Sequence, residues 1–149
     1  MNVWSKLMTA LRGGANEASE AIVEAQALRI LDQEVRDASE EVKASRDSLA
    51  EMMAREKVSE QKCSSFNSKI AEFEDYAIQA LQKNDESLAQ DLAEKIADLE
   101  NQLNIEQNAH DGYASSAESL RNAIKQADSN IKRLKHQVET VRATENVQR

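Results

Sequence analysis

LQKNDESLA, residues 81–89, is the stretch that decides the fold of this chain. Asn and Asp favour turns and helix N-caps, so Asn84-Asp85 predicts a break between two helices, with Asp85 as the N-cap of the second. On both sides of the break, over residues 28–80 and 88–141, apolar and small residues recur in steps of three and four. Such spacing indicates two helices that each have one apolar face.

The two apolar rows mirror each other about this break. Apolar positions pair with apolar positions when their numbers sum to 169, and the polar interruptions of the two rows also coincide. Two unrelated amphipathic helices would not be expected to align their polar interruptions. The pairs include Leu28 with Val141, Leu49 with Leu120, Phe73 with Ile96, Glu56 with Tyr113, Ser59 with His110, and Cys63 with Glu106. The sequence therefore predicts an all-α fold, a long antiparallel coiled-coil helical hairpin over residues 17–149 with its tip near 83–87.

Two features of the second predicted helix depart from a strict seven-residue period. From Leu88 to Leu103 the steps are four, four, three and four, which predicts that the left-handed supercoil relaxes or reverses near the tip. Gly112 lies beside the polar pairs, and glycine weakens a helix interior. A bend or local softening is therefore expected at Gly112.

Several apolar residues fall outside the paired rows. Scattered exposed apolar side chains are ordinary on protein surfaces. On a pair of thin helices they can also form contacts between subunits, and the sequence leaves both interpretations open. These residues are Ile22, Val23, Ile30, Met53, Val58, Ile78, Leu81, Ile105 and Val147.

The composition narrows the class of protein. None of the 149 residues is Pro, so nothing interrupts long helices, and a two-helix seam makes one elongated domain. The net charge is −8, and this acidic balance argues against nucleic acid as a partner. Residues 121–149 are the exception, with seven basic side chains against three acidic ones. This basic end is either a solvated helix surface or a contact for the acidic part of a neighbouring subunit.

Residues 1–12 are predicted to form a short amphipathic helix. The segment NVWSKLMTALR, residues 2–12, has one apolar stripe and basic but no acidic side chains, which suits a membrane interface. The alternative is that the stripe packs on the hairpin or on a neighbouring subunit. Paired glycines end this helix, and residues 13–16 are expected to act as a hinge. The predicted membrane-binding residues are Val3, Trp4, Lys6, Leu7, Met8, Leu11 and Arg12.

The sequence contains no recognisable catalytic, cofactor-binding or metal-binding constellation, so the protein is expected not to be an enzyme. Cys63 lies on the apolar row, where a thiol packs as a small hydrophobe. His110 and His136 are 26 residues apart on one predicted helix, too far to share a metal. The polar pairs are expected to set the register of the helices. The alternative is a pH-sensitive hinge through His110.

Localisation is predicted from two absences in the sequence. No run of 18 apolar residues exists, so no segment is expected to span a bilayer. The apolar residues near the N-terminus are interrupted by polar ones, unlike the continuous core of a signal peptide. A cytoplasmic location is therefore expected.

Three features of the chain resemble the phage-shock protein A family, which includes the vesicle-inducing protein in plastids and is related to ESCRT-III proteins. They are the amphipathic first helix with its Gly hinge, RILDQEVRDA at residues 29–38, and ATENVQR at residues 143–149. The phage-shock protein itself has an acidic residue followed by Pro before its first long helix. Here SEAIVEAQAL, residues 19–28, has no Pro, which indicates a less-characterised bacterial branch.

The resemblance implies a protein on the cytoplasmic face of the bacterial inner membrane. Such a protein would bind anionic lipid through its first helix, form homo-oligomers or polymers, and act in the stress response. The expected function is thus a peripheral, self-assembling coiled-coil protein that stabilises or remodels the membrane without a cofactor. The alternative is a soluble regulatory adaptor whose hairpin binds a partner such as a AAA+ transcription activator.

Overall fold

The computed structural model describes the backbone of residues 17–147 and the side chains of residues 22–144. Helix α1 spans Glu17–Gln82 and helix α2 spans Glu86–Val147. The fold is all-α, and the two long helices pack as a hairpin, which confirms that part of the prediction. The amphipathic helix predicted for residues 1–12 and the hinge predicted for residues 13–16 lie outside the described residues.

The helices divide into two compact units. The terminal unit contains the described residues up to Arg46 and from Asn122 onward, and the turn unit is Asp47–Arg121. In the turn unit the short turn between Gln82 and Glu86 joins the two helices. The Lys95 ammonium there lies 5.7 Å from the centre of the Phe73 ring on the other helix.

Two ion pairs show the direction of the helices in the terminal unit. Arg46 Nη2 lies 2.8 Å from Asp128 Oδ2, and Arg142 Nη2 lies 3.4 Å from Asp32 Oδ2. Residue numbers rise along α1 as they fall along α2. The two helices therefore run antiparallel in this unit.

The predicted seam is confirmed by burial at all but one position. Every predicted position of α1 over residues 28–80, and every predicted position of α2 over residues 92–141, is buried or half-buried. This pattern arises because each helix contacts the other through a single face that repeats every seven residues. The buried apolar residues are Ala27, Leu31, Val42, Cys63, Ile70, Ala80, Leu92, Ala117, Ile124, Ile131 and Val138.

The prediction that Leu88 belongs to the seam is wrong. Leu88 is 47% exposed, whereas its neighbour Ala89 is half-buried. Ala80 and Ala89 also sum to 169, and from Ala89 to Leu103 the steps alternate three and four. The expectation that the supercoil relaxes near the tip was derived from steps counted from Leu88. Counted from Ala89, the seven-residue period continues to the turn, so the sequence no longer predicts that relaxation. Two small alanines allow the helices to approach each other closely where the chain reverses.

Most of the apolar residues predicted to lie off the seam are exposed. Val23 is an exception because it is half-buried, and Val147 lies outside the described side chains. Exposed fractions of 39–70% are found for Ile22, Ile30, Met53, Val58, Ile78, Leu81 and Ile105.

The turn is built from a helix C-cap followed directly by a helix N-cap. Asn84 has a φ of 59°, in the left-handed region. The Asp85 N–H donates to the Ala80 carbonyl at 2.8 Å and the Asn84 N–H donates to the Leu81 carbonyl at 3.1 Å, which is a Schellman motif. The Asp85 carboxylate accepts a hydrogen bond from the Leu88 N–H at 3.1 Å. The N-cap predicted at Asp85 is therefore confirmed.

Helix α2 continues through Gly112 without interruption, and a Cβ at this position would meet nothing within 4 Å. Gly112→Ala is therefore expected to raise the free energy of unfolding by about 0.5–1 kcal/mol, because alanine favours the helix and restricts the unfolded chain. Urea denaturation followed by circular dichroism measures this change. Ala93→Gly, at an exposed position of the same helix, should lower stability by a similar amount. A loss of stability in Gly112→Ala would instead show that the helix needs glycine there.

Candidate functional site

The residues predicted to bind the membrane lie outside the described part of the chain. All seven fall within residues 1–12, which the structure does not describe. The described helices carry two other features that bear on function. One is the polar layer inside the seam of the turn unit, formed by the pairs Glu56 with Tyr113, Ser59 with His110 and Cys63 with Glu106. The other is a set of exposed apolar side chains near the turn.

The polar layer lies inside the seam, as the sequence predicted. Ser59 is 2% exposed and Cys63 is 7% exposed. Glu56 Oε1 lies 3.9 Å from His110 Nε2, and His110 Nδ1 lies 3.4 Å from Asp111 Oδ1. The imidazole thus has a carboxylate near each ring nitrogen, and the distance to Glu56 on the other helix is too long for a hydrogen bond. The layer joins the two helices through polar groups in an otherwise apolar seam.

The environment of Cys63 suppresses the reactivity of its thiol. Burial raises the pKa of Cys63, and the nearby carboxylates of Glu106 and Asp111 raise it further. The thiolate is the nucleophile and the metal ligand, so a thiol that stays protonated performs neither role well. Cys63 therefore acts as a packing residue, in agreement with its position in the seam. Among the described residues, no group of three or more His, Cys, Asp or Glu side chains could hold a metal ion.

Exposed apolar side chains gather near the turn. On α1, Ile78 and Leu81 are 55% and 59% exposed, and they are neighbours on the helix surface because they are three residues apart. Tyr76 and Leu88 line a groove of about 380 Å³, with Ala80 at its base. We call Tyr76, Ile78, Leu81 and Leu88 the apolar turn residues. Tyr76 and Ile78 are two residues apart and therefore lie on different sides of α1, so these residues leave apolar area uncovered on both sides of the helix.

Tyr76 is held at the edge of this groove by a hydrogen bond. Its hydroxyl donates to Glu72 Oε1 at 2.8 Å. This hydrogen bond and the negative charge of Glu72 raise the pKa of Tyr76, so the phenol remains neutral. Lys83 and Asp85 also line the groove. The groove therefore has an apolar floor and a polar rim, as protein-binding surfaces commonly do.

Almost the whole sequence matches one protein family. Residues 2–149 match the PspA/IM30 family. The chain belongs to this family. It is similar to the uncharacterized protein YjfJ of Escherichia coli strain K12, with 33% identity over 150 residues that cover 100% of this chain and 65% of that protein. The protein YjfJ of E. coli O6:H1 strain CFT073 gives the same values, so the chain spans about two thirds of the length of these relatives. No solved structure matches the chain.

Membership of the PspA/IM30 family confirms the resemblance seen in the sequence. Proteins of this family are generally non-enzymatic and structural. Within Glu17–Val147, neither helix has a stretch that is both long enough and apolar enough to cross a bilayer. The sequence interpretation missed the exposure of Tyr76 and Leu88. A signal for Leu88 was present, because Ala89 already satisfied the pairing sum with Ala80.

Proposed function

We propose that this protein binds the cytoplasmic face of the bacterial inner membrane peripherally, assembles with copies of itself, and stabilises or remodels the membrane. The observation that carries the proposal is the match of residues 2–149 to the PspA/IM30 family. Family membership supports a membrane-associated role in the stress response. The amphipathic pattern of residues 2–12 supports direct contact with lipid.

A single copy should bind the membrane weakly. Burying the five apolar side chains of the stripe contributes at most about 10 kcal/mol before costs. Ordering a segment of about eleven residues on the membrane costs a comparable amount. Lys6 and Arg12 add about 1 kcal/mol each on anionic lipid. Many copies in one assembly would bind far more tightly through effective concentration, so membrane binding and self-assembly support each other.

The apolar turn residues are the described side chains best suited to contacts between copies. Each of the four is more than two fifths exposed in the part of the chain that the structure describes. Leu81→Ser with Leu88→Ser should therefore reduce the size of lipid-free assemblies measured by light scattering. Ile105→Ser, at an exposed position away from the turn, is the matched control. Equal assembly in all three proteins would assign the contacts to another surface.

Acidic substitutions within the predicted stripe test the membrane contact. Leu7→Glu with Leu11→Glu in the full chain should lower affinity for anionic vesicles about 100-fold or more, because two apolar contacts are lost and two negative charges face the lipid. Ser5→Glu with Thr9→Glu adds the same charge on the polar side and should lose much less. Flotation with anionic and neutral vesicles measures both variants.

Two results would contradict the membrane contact. Equal losses in the two variants would show that only net charge matters and that no stripe inserts. If the variant Leu7→Glu with Leu11→Glu binds vesicles as well as the parent chain does, the first helix does not contribute to membrane binding. Co-purification of a protein through the hairpin would then favour the adaptor function, with a AAA+ transcription activator as the partner to examine.

A further inference from the structure

The two ion pairs of the terminal unit lie on the same side of the helix pair. Arg46 contacts Asp128, and Arg142 contacts Asp32. On each helix the two residues are 14 positions apart, which is two seven-residue repeats. Both ion pairs therefore belong to one row on α1 and one row on α2, and these rows run side by side along one flank of the unit.

Six further cations lie on this flank. Residues three or four apart are neighbours on a helix surface, and residues seven apart lie in one row. Each of the six stands in one of these relations to an ion-pair residue or to another of the six, and all six are exposed. No ion pair to any of them occurs within the described residues. The six residues, which we call the basic flank, are Arg29, Arg36, Lys43, Lys125, Lys132 and Lys135.

Carboxylates do not cancel the basic flank. Asp32 and Asp128 lie on it, but each is already engaged by an arginine of the other helix. The remaining acids of the flank are Glu139, seven residues after Lys132, and Glu40, which lies four residues after Arg36 and three before Lys43. The flank therefore keeps a clear positive excess after its own ion pairs are formed.

The opposite flank of the same unit has the reverse charge. Its row on α1 carries Glu34 and Glu41, which are seven residues apart, and Asp37 lies three residues after Glu34. Arg133 is the one cation on the facing part of α2 among the residues described. The terminal unit therefore has a basic flank on one side and an acidic flank on the other.

We propose that the basic flank lies on the anionic membrane surface and binds lipid phosphate groups, as a contact separate from residues 1–12. This inference rests on the proposed function, because the membrane-binding segment joins the chain at the terminal unit. Four residues lie between Arg12 and Glu17, where α1 begins, and the five Cα–Cα steps from Arg12 to Glu17 span at most about 18 Å. The start of α1 is therefore held close to the headgroups.

The spacing and composition of the flank fit a flat charged surface. Arg29, Arg36 and Lys43 recur every seven residues, which places a cation about every 10 Å along the helix. Ile22 lies seven residues before Arg29 in the same row and is 61% exposed. An exposed apolar side chain therefore precedes the cations at the start of α1. At about 0.1 M salt, charges are screened beyond about 10 Å. The acids of the opposite flank therefore weaken the attraction little.

Neutralisation of one row tests this contact in the full chain. Arg29→Gln, Arg36→Gln and Lys43→Gln together should weaken binding to vesicles of phosphatidylglycerol and phosphatidylcholine about 100-fold, since each cation near an anionic surface contributes about fivefold. The matched control is Arg55→Gln, Lys62→Gln and Lys69→Gln, a row with the same spacing and charge in the turn unit. The control should change binding only a few-fold. Circular dichroism checks that helix content is unchanged in both.

The outcomes separate this inference from the proposed function. The substitutions Leu7→Glu and Leu11→Glu report on the first helix, and the three neutralised cations report on the flank. Equal affinities of the flank variant and the parent chain, or equal losses in the flank and control variants, would overturn the inference without touching the first helix. A flank variant that binds vesicles normally but fails to assemble without lipid would assign the flank to a second copy instead. Support requires that the flank contribution disappear between about 50 mM and about 300 mM salt.

Discussion

Leu31→Ala is expected to lower the free energy of unfolding by about 3 kcal/mol. Leu31 is the largest fully buried side chain of the described residues, with 0% exposed. Truncation removes apolar contacts and leaves a cavity in the seam, and large-to-small changes of this kind usually cost about 2–5 kcal/mol. Within the described residues Leu31 packs in the seam between the two helices, so little other packing there can compensate. Urea denaturation followed by circular dichroism measures the loss.

Ile30→Ala is the matched control for this substitution. Ile30 precedes Leu31 in the same helix but is 39% exposed. Its truncation should cost only about 1 kcal/mol, because a large part of the side chain stays in contact with water in the folded chain and no closed cavity is left. Similar losses in the two variants would mean that something covers Ile30 as well. A larger loss for Ile30 would contradict the placement of the seam.

Asn84→Val is expected to lower the free energy of unfolding by about 2 kcal/mol. Asn84 adopts a φ of 59°, and a left-handed conformation costs a residue with a Cβ roughly 1–2 kcal/mol, with β-branched side chains suffering most. Asn tolerates this region because its short polar side chain can form local hydrogen bonds. The strain would fall on the residue that joins the C-cap of α1 to the N-cap of α2. Thermal and urea unfolding of the variant measure its effect.

Asn84→Gly provides the control for the turn. Glycine adopts positive φ without steric cost, so this variant should be as stable as the parent chain to within about 0.5 kcal/mol. If valine is tolerated as well as glycine, the turn has reformed at another residue. A shift of that kind would also move the seam pairing away from the sum of 169.

The seam could be predicted from the sequence because burial repeats every seven residues. A two-helix pair has one face to bury on each helix, so the period of the apolar residues directly marks the contact. The polar interruptions strengthened the alignment, since Ser59 and Cys63 are buried where the pairing placed them. The cap at Asp85 was equally predictable, because it depends on a side chain and a backbone N–H three residues apart.

The prediction of the seam next to the turn was less successful. Leu88 was placed in the seam because it is more apolar than Ala89, but the continuing period selects the smaller residue where the helices meet. At Gly112 α2 is helical without interruption, and a bend or local softening there stays a prediction. Helix hydrogen bonds on both sides extend the helix across one unfavourable residue, because propagation is far easier than nucleation.

By itself, the sequence determined the class of fold, the antiparallel pairing of the helices and the position of the turn. These follow from periodicity and local capping, which act along each helix or across a single repeated contact. Only the tertiary structure decided which charges neutralise one another. Arg46 and Arg142 reach across to Asp128 and Asp32, and this removes both acids from the flank on which the remaining cations lie. Net charge along the chain cannot predict that result, because it depends on which side chains of two different helices lie within ion-pair distance.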